Sequence, residues 1–72
     1  MRNSFGAAIE FMRDGEAVRL PHWATDVSIR IQNPDSNSKM THPYFYVTSI
    51  RGLVPWIPTM VELLSTEWEI VE

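Results

Sequence analysis

A chain of 72 residues without a single cysteine must hold itself together by apolar packing, or borrow surface from another chain. At 8.3 kDa, folding removes roughly 7,400 Å² from solvent. If about 60% of that is apolar, burial contributes about 110 kcal/mol. Ordering the chain at about 1.5 kcal/mol per residue costs nearly the same. Two histidines and no thiol leave no structural zinc site of the Cys/His type. The remaining remedy is self-association, so a single domain over residues 1–72 that forms a homo-oligomer is expected.

Hydrophobic content of 44% and charged content of 21% are those of a globular chain rather than a disordered one. No apolar stretch approaches the roughly 20 residues needed to span a bilayer. The start, Met1-Arg2-Asn3-Ser4, leads into no secretory h-region. With cysteine absent, a cytoplasmic location is expected. Residues 1–51 hold all six Lys/Arg against five acids, whereas residues 52–72 hold four glutamates and no base. Such a chain has no field to recruit duplex DNA or an anionic membrane, and neither is an expected partner.

Phe5, Ala8, Ile9 and Met12 fall on one stripe of a helix that Ser4 can cap and Asp14-Gly15 can end. Ala17–Leu20 reads as a first strand ended by Pro21. Asp26–Gln32 alternates cleanly, with Val27, Ile29 and Ile31 on one side, as a half-buried antiparallel strand does. Asn33 to Thr41 has loop chemistry throughout. Tyr44–Ile50 is aromatic and β-branched, a strand; Arg51-Gly52 turns the chain, and Leu53-Val54 returns before Pro55 limits pairing. Thr59 with Glu62 matches a capping box for a short helix over Met60–Leu64. Glu67–Val71 closes as a last strand with Trp68 and Ile70 facing together. The reading is α+β: an N-terminal helix on a small antiparallel sheet of four to five strands, with a short helical insertion before the last.

Catalytic signatures are missing. His22 and His42 lack metal-binding spacing, no nucleophile turn occurs, and three dispersed glycines build no phosphate loop. The glutamates at 62, 67, 69 and 72 are more plainly a solvated face than a carboxylate pair. No enzyme activity, cofactor or metal is expected. Binding groups are better supplied, with three Trp, two Tyr and three Phe. Trp23 follows Leu20-Pro21-His22, and Trp56 stands between Pro55 and Pro58. A tryptophan with so little backbone freedom offers a preorganised face for stacking on a base. Arg19, Arg30, Lys39 and Arg51 could meet phosphates, and Gln32, Asn33 and Asn37 could read base edges. Core or subunit interface is the competing assignment for the tryptophans, most strongly for Trp68.

The order of these features resembles the Tad-two family of Thoeris anti-defence proteins almost end to end, from Phe5 to Val71. The resemblance rests on Phe5-Gly6-Ala7-Ala8-Ile9, Gly15, Val18-Arg19 with Trp23 following, and Asn33-Pro34-Asp35. It is most specific at Lys39-Met40-Thr41-His42-Pro43-Tyr44-Phe45-Tyr46, at Leu53-Val54-Pro55-Trp56-Ile57-Pro58 and at Leu63-Leu64-Ser65-Thr66-Glu67-Trp68. The chain departs from the family at His22-Trp23-Ala24-Thr25, in place of Gly-Trp-Asn-Gly, and at Glu62 and Glu67, where aspartate is common.

The resemblance implies a non-catalytic sponge. Such proteins sequester glycocyclic ADP-ribose, the messenger of a TIR-domain immune enzyme, and some also take CBASS cyclic di- or trinucleotides at separate pockets. It further implies a homotetramer with ligand sites where protomers meet, and Trp23, Tyr44, Arg51 and Trp56 as ligand-binding residues. The alternative is an oligomeric accessory module of structural or interaction type, whose aromatics are all core and interface.

Overall fold

The computed structural model describes residues 3–71. The chain is α+β, and its elements run α1 (Phe5–Arg13), β1 (Ala17–Arg19), β2 (Ser28–Gln32), β3 (Tyr44–Ser49), β4 (Gly52–Pro55), α2 (Met60–Leu64) and β5 (Glu69–Val71). The five strands form one antiparallel sheet in the order β4-β3-β2-β1-β5. Before α1 the chain adds a further bridge, Asn3 pairing with Trp68.

Helix α1 begins where Ser4 accepts the Ala7 N–H at 3.2 Å. It ends at Asp14, and Gly15 follows at φ 94°, a conformation that a side chain would oppose. The predicted stripe is the buried face: Phe5, Ala8 and Met12 are buried, and Ile9 lies half-buried at its margin. Thr59 and Glu62 form the expected capping box at α2, with the Glu62 carboxylate accepting the Thr59 N–H at 2.7 Å.

The register aligns Ile70, Val18, Ile29, Val47 and Val54 in one row across all five strands. Burial peaks at β1 and β2 and falls toward β4. Val18 and Ile29 are fully enclosed, Ile70 and Val47 are half-buried, and Val54 is 55% exposed. The cause is the helix, which packs chiefly over β1, β2 and β5 and meets β3 through Phe5, which touches Phe45. Only the first half of the sheet therefore has an ordinary core.

The strand ends differ from expectation by one or two residues. Leu20 is buried just beyond β1 rather than within it. Asp26 and Val27 lie before β2, because the Asp26 carboxylate is taken by the Ile50 N–H at 2.9 Å. Glu67 and Trp68 precede β5, with Trp68 paired instead to Asn3. Pro55 ends β4 at the sheet edge, where a missing N–H costs no ladder bond.

Candidate ligand-binding site

Five aromatic rings gather over the sheet. Trp68, fully buried, sits 5.2 Å from Phe5, 5.3 Å from Trp23 and 6.2 Å from Trp56 between ring centroids. Phe45 completes the group, 5.7 Å from Phe5 and 6.1 Å from Trp56. Most pairs are tilted or edge to face, the arrangements that ring quadrupoles favour. Trp68 also donates its Nε1–H to the Glu62 carbonyl at 3.0 Å, tying α2 to the cluster. It is the core residue that its alternating strand predicts.

Trp56 closes the cluster and opens a cleft. Its N–H donates to the Phe45 carbonyl at 3.0 Å, which carries the hairpin pairing one residue beyond β4. On its outer side lies an open cavity of about 640 Å³, within the size range of small-molecule sites. It is lined by Ile9 and Arg13 of α1, by the cross-strand pair Ile31 and Phe45, and by Asn33, Pro43, Tyr44 and Trp56. The cleft thus lies between the second half of α1 and the β2–β3 pair.

Of the residues singled out as ligand-binding, Tyr44 and Trp56 line this cleft. Trp23 does not; it stands behind Trp56, edge to face at 6.0 Å. Arg51 is exposed at the β3–β4 turn, where its N–H donates to the Ser49 hydroxyl at 3.1 Å. Trp56 pairs beside Phe45, at the opposite end of the hairpin. Phe45 and Ser49 are four residue steps apart along β3, about 14 Å. Adjacency in sequence misleads here, because the hairpin carries the two positions to opposite ends, and one chain does not bring Arg51 and Trp56 together.

The cleft's cation is Arg13, in the last turn of α1 and not among the residues singled out from the sequence. Its contact with Glu10 is loose, 3.9 Å between two largely exposed side chains, a pair worth little and readily exchanged for an anionic ligand. The available signal was its position one turn beyond Ile9, on the margin of the apolar stripe. Among the other cations considered, Arg19 is committed to Glu69 at 3.1 Å. Arg30 reaches the Gly15 carbonyl at 3.4 Å from a position opposite Tyr46. Of the amides, Asn33 lines the cleft; Gln32 donates to the Asn33 carbonyl, and Asn37 donates its N–H to Asp35. Asp35 accepts from the Asn37 N–H and the Ser38 hydroxyl, and these bonds lower its pKa from the ordinary 3.8. The 33–43 connection that frames the cleft is thereby pinned at 35–38.

A family model for the Thoeris anti-defense 2-like domain matches residues 3–71. The chain belongs to that family. The family's name carries an anti-defence role directed at Thoeris. In this Thoeris anti-defense 2-like chain the match covers α1, the whole sheet and α2, so the cleft and the aromatic cluster lie within it. No curated protein matches the chain. No helix among the described residues is long and apolar enough to cross a membrane.

Proposed function

We propose that this Thoeris anti-defense 2-like protein is a sponge: it binds a cyclic nucleotide messenger in the Trp56 cleft and holds it without turnover. The observation that carries the reading is the lining. Trp56, Tyr44 and Phe45 supply aromatic surface for a base, Arg13 supplies a planar cation for a phosphate, and Asn33 supplies an amide for a base edge. Those groups hold a ligand; none of the lining side chains is a carboxylate, an imidazole or an aliphatic hydroxyl poised to attack it. Family membership makes glycocyclic ADP-ribose the first ligand to test, with CBASS cyclic dinucleotides and trinucleotides next.

Assembly is part of the proposal. The chain exposes 5335 Å², against about 4,600 Å² for a folded monomer of its mass. Much of the apolar excess lies in one stretch. Leu53, Val54, Ile57, Met60, Val61 and Leu64 are all more than half exposed, and α2 buries none of its residues. A helix of five residues has no stability of its own, so its apolar face is best explained by a second copy of the chain, in a homo-oligomer that the resemblance puts at four. Trp56 lies inside this stretch, which sets the cleft beside the surface that would be covered.

The exposed stretch also favours the second reading, an accessory module whose surfaces serve only assembly. Titration calorimetry with glycocyclic ADP-ribose separates the two. The sponge predicts saturable binding by wild type and its loss in Trp56→Ala at unchanged oligomeric state. An assembled wild-type protein that binds none of the cyclic nucleotides supports the module.

A further inference from the structure

We infer that Arg19 is a positioning residue for the ligand cleft, acting through Trp23 on Trp56; the inference rests on the cleft being the binding site. Arg19 ends β1 with its side chain only 15% exposed. Its Nη1 donates to the Glu69 carboxylate at 3.1 Å, across the β1–β5 pairing in which the two residues stand opposite. Its Nη2 donates to the backbone carbonyls of both Trp23 and Ala24, the latter at 3.1 Å. Nε is buried without a partner, so the fork is held entirely by its two terminal nitrogens.

That geometry locks the segment between β1 and β2. Apart from Arg19, this segment is held by two turn bonds, Trp23 N–H to Leu20 and Val27 N–H to Ala24, and at its far end by the Asp26 carboxylate accepting the Ile50 N–H. A planar guanidinium spanning two consecutive carbonyls fixes the peptide between them in a way that one ammonium cannot. The Trp23 ring projects from that peptide, wedged at 89° against Trp68 and at 72° against Trp56. Trp68 is buried and tied to Glu62, so it cannot yield. Trp56 forms a wall of an open cleft and can. Freedom in Trp23 is therefore passed to Trp56, and the Arg19–Glu69 pair sets how well ordered the stacking face is before ligand arrives. The consequence is preorganisation: Arg19 touches no ligand, yet it lowers the cost of binding.

The test uses the full chain labelled with 5-fluorotryptophan, whose three fluorine signals are assigned by single Trp→Phe variants, and glycocyclic ADP-ribose as the probe. Arg19→Lys keeps the charge but cannot bridge Glu69 and two carbonyls together. The Trp23 and Trp56 signals should shift and broaden while Trp68 holds, and probe affinity should fall about tenfold. Glu69→Gln, which retains a neutral acceptor for Nη1, should move the same two signals less. Unmoved Trp23 and Trp56 signals in Arg19→Lys overturn the inference, and so do three signals that move equally, since that marks general loosening of the core. Should wild type fail to bind the probe, the ligand reading falls, and the fluorine signals still decide whether Arg19 orders Trp56.

Discussion

Trp23 and Trp56 meet edge to face with ring centroids 6.0 Å apart, and only Trp56 reaches the cleft. The two tryptophans that looked equivalent in sequence thus divide the work: one offers a face, the other braces it. Trp56→Ala should weaken cyclic nucleotide binding by about 1–3 kcal/mol, the value of one base–aromatic stack. Trp23→Phe keeps an apolar brace and should cost less. Calorimetry of the two variants, with the oligomeric state followed by light scattering, checks the order.

Arg13 and Arg51 make a second pair of opposites. Arg13→Ala should cost about 1.5–3 kcal/mol of binding through the loss of a charge-assisted bond to phosphate, and Arg13→Lys should recover part of it. Arg51→Ala, altering an exposed turn, should change affinity by less than about 0.5 kcal/mol. Measuring all three at two salt concentrations tests the assignment, because a direct phosphate contact weakens with salt and an uninvolved turn residue does not alter the slope.

The fold was readable because its signals are local. The stripe of Phe5, Ala8 and Met12, the Ser4 and Thr59 caps, the alternation through Ile29 and Ile31, and Gly15 each act within one element. The cleft was readable only in part. Tyr44 and Trp56 announce themselves as aromatics beside prolines, but Arg13 becomes a cleft residue only because the fold sets the end of α1 beside Ile31 and Phe45. Arg51 parts from Trp56 for the reverse reason: it stands five positions away in the chain and at the far end of the hairpin in space. Arg19 read as a phosphate contact, and its commitment to Glu69 depends on β5 returning beside β1, a pairing fifty residues apart.

Assembly should depend on α2. Val61 is 78% exposed, so Val61→Lys should alter the stability of a lone chain by no more than about 0.5 kcal/mol. Placed in an apolar interface, the same lysine would be an unpaired buried charge and should dissociate the oligomer. Sedimentation velocity across a dilution series checks this. A wild-type chain that sediments as a folded 8.3 kDa monomer contradicts the assembly, and an unchanged oligomer in Val61→Lys removes α2 from the interface.

Acid should loosen the cleft's frame. Asp35 has its pKa lowered chiefly by the Asn37 N–H, then by the Ser38 hydroxyl. A depressed carboxylate stabilises the folded loop fully above its ordinary pKa of 3.8, and that contribution disappears as pH falls through the lower folded value. Amide exchange around 35–38 should therefore stay constant from neutral pH down to about 4 once corrected for intrinsic rates, then quicken below it. Asp35→Asn, which has no such titration, should show no step.

The central claim is capture without chemistry, and recovery of the ligand measures it most directly. The protein is incubated with a limiting amount of glycocyclic ADP-ribose, the free messenger is quantified after filtration, and the retained fraction is heated to unfold the protein. Depletion of the free messenger followed by release of the same intact molecule in the same amount is the predicted result. Release of an altered molecule would make the protein an enzyme, and a filtrate undepleted of this or any other cyclic nucleotide would contradict the sponge outright.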